Sequence, residues 1–461
     1  MQDSGWPNTV SRRTAALPLA RRRDLPEMCD NREVVLPVPP LPLSYTVGRQ
    51  SKIKSYSTRG KMKIVVATIG SRGDVQPYIN LCQGLKEVGH DVVLATNPTL
   101  CSLAVSHGIM SVPVGPAVDM GAVGEQLMAQ SFNNMWIGMI RVMQFGARLV
   151  EEAYPDVLKV CQGADLVIVS DTGSGLAEAD KLNLPWLSVT LQPARIPVTN
   201  ATPSFLGRVI WGFMGKLFIA PTNRFRKRVG APPVKDITSM MSTRLILLPV
   251  SQHVAPPDPH WPRHIYQTGY WFARPQKEWE PPRDLLDFLE GGDKPIAVSL
   301  GVMSMSGKRA REGTQIILRA LERTNVRAII QGWDEALQVL EIPKTVYHAG
   351  AMPHSWLFDQ VSMVIHHGGF GTTAATLRAG VPGIVVPHVI DQFYWGQRVN
   401  ELGVSPGFIS RGKLNVENLS EAIMRVRNDE RIQEKASELG CRIRTEADGV
   451  TAAVRAIEKI L

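Results

Sequence analysis

The run Val364-Ile365-His366-His367-Gly368-Gly369-Phe370-Gly371-Thr372-Thr373 places a short apolar strand before a glycine-rich turn. Good helix formers follow: Ala374, Ala375, Leu377, Arg378 and Ala379. Glycines at 368, 369 and 371 let main-chain N–H groups come close to an anion. The start of the following helix adds roughly half a positive charge. Thr372 and Thr373 offer hydroxyls in its first turn, and His366 at the strand end is placed to reach a phosphate oxygen. Together these residues suit a diphosphate. The bland alternative is a tight turn with a capped helix. The segment has no Gly-Lys-Ser/Thr of a Walker loop, and its glycine spacing is not the dinucleotide fingerprint. Zinc is a poor fit to His366-His367. Adjacent strand residues point to opposite faces, and no Cys or carboxylate stands at ligand spacing. No metal is therefore expected.

Two further places carry polar chemistry. About twenty residues on, Asp391-Gln392 follows a strand and opens a helix. A carboxylate beside a carboxamide can bind vicinal sugar hydroxyls, one accepting and the other both donating and accepting; Asp391 could equally cap the helix. Near the amino terminus, Thr68-Ile69-Gly70-Ser71-Arg72-Gly73-Asp74-Val75-Gln76-Pro77 links a strand to a helix with proline in its first turn. Asp74 at that entry can accept a proton from an acceptor hydroxyl. The structural alternative makes it a helix cap or an ion-pair partner of Arg72.

These segments need a scaffold that brings them together, and the chain supplies alternating strands and helices. Apolar runs at Lys63–Ile69, Asp91–Thr96, Asp165–Ser170, Pro185–Thr190 and Arg244–Val250 read as strands buried on both faces. The alternation restarts at Lys294–Leu300, Val326–Gln331, Thr345–His348, Met363–His366 and Gly383–Pro387. Helices are expected at 77–88, near 175–181, and near 308–323, 371–380, 391–402 and 416–440. Residues 251–282, rich in Pro, Trp and His, read as the connection. With 461 residues, two α/β domains are expected, each a mostly parallel Rossmann-like sheet, at 62–270 and 271–461. Ligands in such sheets bind beyond the strands' carboxyl ends.

Residues 1–61 read as a basic tail, disordered or an over-long start, with net charge +6 of the total +9. A nearly neutral body under a basic tail does not point to nucleic acid. Five scattered cysteines without a CxxC pair suggest a reducing cytosol rather than a disulfide framework. No transmembrane stretch or apolar signal core is read.

The chain resembles the inverting family-one glycosyltransferases of GT-B fold. Within them it is most similar to the bacterial and fungal sterol-glucosyltransferase type, related to the transferases of glycopeptide antibiotics. The motifs are Gly-Ser-Arg-Gly-Asp-Val-Gln-Pro (70–77), Thr-Gly-Tyr-Trp (268–271), Gly-Trp (332–333), Pro-His-Ser-Trp-Leu (353–357), His-His-Gly-Gly-Phe-Gly-Thr-Thr (366–373), Arg-Ala-Gly-Val-Pro (378–382), Asp-Gln (391–392) and Trp-Gly (395–396). The resemblance covers roughly 62–440 and implies two facing Rossmann-like domains. The last helix is expected to return to the first domain.

By that resemblance, His366, Gly368, Gly369, Phe370, Gly371 and Thr372 hold the UDP diphosphate. Asp391 and Gln392 bind the hexose, Ser71, Arg72 and Gly73 lie at the donor, Trp356 lies near the uridine, and Asp74 is the catalytic base. Four departures stand out: Val302 in the usual Gly-Ser-Met, Ser355 for aspartate, Ile390 for glycine and Phe393 for proline. Ser304 could restore the hydroxyl lost at Val302. The implied reaction moves a hexose, with inversion, from a UDP-sugar co-substrate to a hydroxyl of a sterol, terpenoid, polyketide or lipid, with no further cofactor. Trp136 and Phe213 are candidate acceptor contacts, each from an apolar stripe (132–149 and 205–218). For the 205–218 stripe, core packing, an acceptor pocket and an interfacial membrane helix stand side by side. Two rival functions remain at this point: a UDP-sugar 2-epimerase of the same fold, and a non-catalytic UDP-sugar or lipid binder.

Overall fold

The structure is a computed structural model that describes residues 60–118, 123, 135–196, 219–273, 279–301 and 307–461. The tail (to residue 59), the stripe at 205–218 with Phe213, and Val302 and Ser304 lie outside the described residues. Trp136 belongs to a described helix, but its side chain does not.

The first half is a seven-stranded parallel sheet in the order β3-β2-β1-β4-β5-β6-β7. Its strands are β1 (Lys63–Ala67), β2 (Asp91–Thr96), β3 (Met110–Pro113), β4 (Leu166–Val169), β5 (Trp186–Val189), β6 (Ile246–Leu248) and β7 (Ile265–Gln267). Its helices include α1 (Arg72–Glu87), α2 (Cys101–Ser106), α3 (Met135–Cys161) and α4 (Leu176–Leu182). The second half is a five-stranded parallel sheet in the order β10-β9-β8-β11-β12. It comprises β8 (Ile296–Ser299), β9 (Ala328–Gln331), β10 (Val346–Ala349), β11 (Val364–His366) and β12 (Gly383–Val385). Helices α5 (Arg283–Glu290), α6 (Gly307–Thr324), α7 (Asp334–Leu337), α8 (His354–Leu357), α9 (Phe370–Ala379), α10 (Ile390–Glu401), α11 (Val416–Asn428), α12 (Glu430–Thr445) and α13 (Gly449–Ile460) complete it. The expected α/β architecture of two parallel sheets is present.

Three differences from the sequence reading bear on the site. First, the connection read at 251–282 contains β7, so β6 is not the last strand of its sheet. Second, α1 begins at Arg72 rather than Pro77, because Ser71 and Asp74 close a capping box around its first turn. Third, the helix expected at 416–440 is two helices. Asp429 breaks the run and caps α12, its carboxylate accepting the Arg431 N–H.

Apolar residues explain the layering. Val65, Ala67, Val167 and Val169 face α3, while Ile64, Val66, Leu166 and Ile168 face α1 and α13. Both faces of the central strands are thus covered, as continuous apolar runs require. The final helix α13 packs on α1 through Val450, Ala453, Val454 and Ile457. The crossing that brings it there is tight. A Cβ on Gly449 would lie 2.4 Å from the Gly269 carbonyl oxygen. A shared cluster of Val250, Val254, Tyr270, Trp395, Val399 and Ile443 joins the two halves.

Candidate active site

In both sheets the first strand lies between the second and the fourth, so the strand order reverses there. At such a switch point the loops diverge and leave a crevice at the carboxyl ends. The crevice of the first sheet lies between β1 and β4, that of the second between β8 and β11. A single cleft of about 2460 Å³ takes in both, lined by Asp74, Asp171, Gly301, His367 and Gly371 among others. One ligand pocket commonly occupies roughly 300–1,000 Å³, so there is space for two substrates.

On the wall of the second half, β11 runs into the turn 367–369 and then α9. Gly368 takes φ +87°, and a Cβ there would stand 2.7 Å from Val385 Cγ1 and 2.9 Å from the Gln392 carbonyl oxygen. Only glycine meets both demands. Gly369 caps α9 in extended conformation. Its carbonyl takes the Thr373 N–H at 2.9 Å, so the N–H groups of Phe370, Gly371 and Thr372 have no partner within the helix. Gly371 is exposed, and a Cβ there would meet nothing within 4 Å. The open helix end therefore looks into the cleft.

The structure corrects the sequence reading on which histidine faces that cleft. His366 is 1% exposed and accepts the Gly368 N–H at its Nδ1 (3.1 Å). Its Nε2 points toward Gly383, 3.0 Å from where a Cβ would be. It shapes the turn from below. His367, the next residue and hence on the opposite face, lines the cleft. Gly301 and Gly369 flank its ring; added Cβ atoms would come within 2.9 and 2.3 Å of it. Burial lowers both imidazoles, His366 to about 3 and His367 to about 4, and each is a neutral group at physiological pH.

Behind His367, His354 donates through Nε2–H to Gln331 Oε1 at 2.9 Å and stacks on Phe358. Burial, then the Arg72 charge from the opposite wall, lowers it to about 4. Trp356 is half-buried against Trp279, ring centroids 5.0 Å apart, and both line the cleft. Phe370, expected at the donor, packs between Tyr270 and Trp395 while presenting part of its surface to the cleft.

Asp391 and Gln392 divide their roles. The Gln392 side-chain oxygen accepts the His388 and Val389 N–H groups at 2.7 and 3.3 Å, so it is Gln392 that closes the start of α10. Its Oε1 is thereby engaged with main chain. Asp391 lines the cleft, its carboxyl raised to about 6 by burial and by the Asp74 charge.

On the wall of the first half, Asp74 Oδ2 accepts the N–H and the Oγ–H of Ser71, each at 2.8 Å. Both bonds fall on one oxygen, leaving Oδ1 for a substrate. The cap and the base are therefore compatible roles for one residue. Burial raises its carboxyl, and the two Ser71 bonds and Arg195 oppose that rise. Ser71, Arg72 and Gly73 also line the cleft. Farther out the wall turns apolar, with Ile140 and Met143 on α3 and Ile237 each about 40% exposed. Those α3 residues belong to the stripe in which Trp136 was singled out.

Sequence reasoning missed His367, His354, Trp279 and Asp171. Strand alternation could have found the first, since it had already placed His366 and His367 on opposite faces. Asp171, two residues beyond β4, could have been found from the switch-point rule. Trp279 and His354 are brought in by tertiary packing alone.

Comparison with known proteins agrees with this geometry. Residues 64–174 match the glycosyltransferase family 28 N-terminal domain, and residues 316–451 match the erythromycin biosynthesis protein CIII-like C-terminal domain. Residues 64–174 thus match a glycosyltransferase domain, and the two-sheet fold is that of solved glycosyltransferases. Among curated proteins it is similar to the sterol 3-beta-glucosyltransferase of Emericella nidulans, 31% identical over 448 residues, covering 89% of this chain and 31% of that protein. The sterol 3-beta-glucosyltransferase of Komagataella phaffii is 32% identical over 457 residues, covering 89% and 36%. The chain thus spans about a third of the length of the curated relatives it matches. Of solved structures, the calicheamicin glycosyltransferase CalG4 superposes with TM-score 0.65 at 18% identity, over 87% of this chain and 98% of that one. A Streptomyces sp. SF2575 glycosyltransferase complexed with thymidine diphosphate gives TM-score 0.58 at 19% identity, over 86% and 99%.

Proposed function

We propose that the chain transfers a hexose from a UDP-sugar to a hydroxyl of a lipophilic acceptor, with inversion at the anomeric carbon. The observation that carries this is the open amino-terminal end of α9 in the same cleft as the Asp74 carboxyl. The diphosphate would sit on the N–H groups of Phe370, Gly371 and Thr372, with His367 beside it. Asp391 would take sugar hydroxyls. Trp356 and Trp279 would lie near the base. The acceptor would lie against the apolar wall of Ile140, Met143 and Ile237.

The step balances as one displacement. The acceptor oxygen forms its bond to the anomeric carbon as its proton passes to Asp74. The bond from that carbon to the β-phosphate oxygen breaks, and its electron pair leaves with UDP. Negative charge grows on the β-phosphate, where the helix N–H groups are already aimed. Asp74 as base contributes about 100- to 10,000-fold. Glucose is the first donor to test, because the matched sterol glucosyltransferases are named for it. The matched relatives and solved structures are glycosyltransferases, which gives the epimerase reading no support.

The test is a mass-shift screen of UDP-sugars against sterol, terpenoid and phenolic alcohols, repeated with Asp74→Asn. Transfer by the wild type and a loss of at least about 100-fold in kcat with unchanged UDP affinity are expected. Product from a UDP-sugar without any acceptor, or near-normal kcat in the variant, would reject the reading.

A further inference from the structure

The strands β1, β4 and β5 lie side by side, and beyond their carboxyl ends stand Asp74, Asp171 and Arg195. The Asp171 carboxylate is fixed by the Leu191 N–H, 2.8 Å from its Oδ2. Arg195 ends the short turn Pro193–Arg195 and reaches back to the same place. Its Nη1 donates to the Asp171 carbonyl oxygen at 3.1 Å and stands 3.8 Å from Asp171 Oδ1. The guanidinium is thus tethered at the end of β4 by both main chain and carboxylate. Asp74, Asp171 and Arg195 line the cleft together with Asp391 from the opposite half.

Three carboxyl groups so placed, taken from water, resist ionising together. Burial raises each of them, and each is opposed by Arg195. The other groups facing Asp74 are the Ser71 donors on its own turn and Tyr78 on α1, which feels both Asp74 and Asp171. One cation opposes the rise of all three acids, and Asp391 is the one raised to about 6.

We infer that Arg195, held in place by Asp171, is a positioning residue whose charge keeps Asp74 ionised to receive the acceptor's proton. This rests on the proposed transfer reaction. Asp171 acts as the anchor. A lysine at 195 supplies the charge without the planar guanidinium, while glutamine supplies neither.

The experiment compares wild type, Arg195→Gln and Arg195→Lys in two measurements. The first is the pH dependence of kcat/KM for transfer. The second is titration of 13C-labelled aspartate carboxyls in the unliganded protein. Because Arg195 is 50% exposed, the expected effect is at the low end for a lost charge partner. Arg195→Gln should move the acid limb, and the titration of the Asp74 carboxyl, up by about one pH unit. That is about tenfold in kcat/KM below the limb, with the UDP-sugar KM unchanged, and Arg195→Lys should recover most of it. An acid limb and carboxyl titration in Arg195→Gln that overlay those of the wild type would overturn the inference. The carboxyl titration needs no substrate. It therefore decides the matter even if no transfer is found, an outcome that would count against the proposed function instead. Arg195→Lys keeps the test available should the glutamine variant lose its fold.

Discussion

Replacing Gly371 by aspartate should leave the protein folded and remove its affinity for nucleotide, two effects of opposite sign from one side chain. Gly371 is the second residue of α9, exposed, with nothing within 4 Å of an added Cβ. A carboxylate in the first turn of a helix stabilises it by about 0.3–1 kcal/mol. Relief of the glycine penalty adds a few tenths of a kcal/mol more. The variant should therefore melt at or slightly above the wild-type temperature. The same carboxylate would occupy the place expected for the diphosphate. Two unit charges about 5 Å apart at an effective dielectric of about 20 repel by roughly 3 kcal/mol, which is on the order of 100-fold in Kd. Gly371→Ala adds a similar volume at the Cβ without the charge, and its loss should be much smaller. Calorimetric titration with UDP, alongside thermal unfolding, reads both quantities. A folded Gly371→Asp protein that binds UDP within about threefold of wild type would show that the anion sits elsewhere.

The two histidines should separate in the same assays. His367→Ala should weaken UDP binding with little change in melting temperature. His366→Ala, which removes a 1% exposed ring and the acceptor of the Gly368 N–H, should lower the melting temperature first. Stability should also fall on acidification. His354, His366, His367 and His388 are lowered by burial to about 4, 3, 4 and 3. Below the ordinary histidine range near 6.5 the unfolded chain takes up protons that these folded sites refuse. Each then costs up to about 1.4 kcal/mol per pH unit until its folded value is reached. Asp391 works the other way: raised to about 6, it favours the folded state as pH falls from about 6 toward the ordinary aspartate range. Glu178, raised to about 7, and the buried Asp74 and Asp171 act as Asp391 does, while His90, His253 and His264 are lowered like the other four; the large histidine shifts make the expected net trend a loss between about pH 6.5 and 4. Urea denaturation at pH 7 and pH 5 checks this, and equal midpoints would refute it.

Much of the scaffold could be read from the sequence because its strands are buried on both faces. Asp91–Thr96 coincides with the expected run, and Leu166–Val169, Trp186–Val189 and Ala328–Gln331 fall inside theirs. What escaped were elements whose pattern is weak or whose reason is distant. The strand Ile265–Gln267 is three half-buried residues between Pro262 and Gly269, with no run long enough to show. The start of α1 was hidden because Gly73 and Pro77 read as loop residues. The Ser71–Asp74 box outweighs them, and Pro77 costs the helix one N–H. The glycines at 269 and 449 lie far apart in sequence; the crossing of α13 leaves no room for a side chain at 449, while at 269 the φ of +80° calls for glycine.

The site was legible at the level of residue types and less so at the level of direction. A glycine-rich turn before a helix announces an anion site, but which of two adjacent histidines attends it depends on the phase of a three-residue strand. Likewise, Asp391-Gln392 reads as a sugar-binding pair, yet the His388 N–H takes the carboxamide oxygen, and Asp391 lines the cleft. The two walls then differ in sign. The α9 wall offers N–H dipoles and neutral imidazoles that favour an anion, while the facing wall, with Asp391, concentrates carboxyls that disfavour one. A diphosphate on the proposed α9 site would find the carboxyls disfavouring the other side, and its charge would add to the burial that already raises Asp391. The two walls thus set Asp391, raised to about 6, against Asp74, whose rise is opposed by the two Ser71 bonds and by Arg195, and it is this separation that suits the two carboxyls to different roles in the proposed transfer.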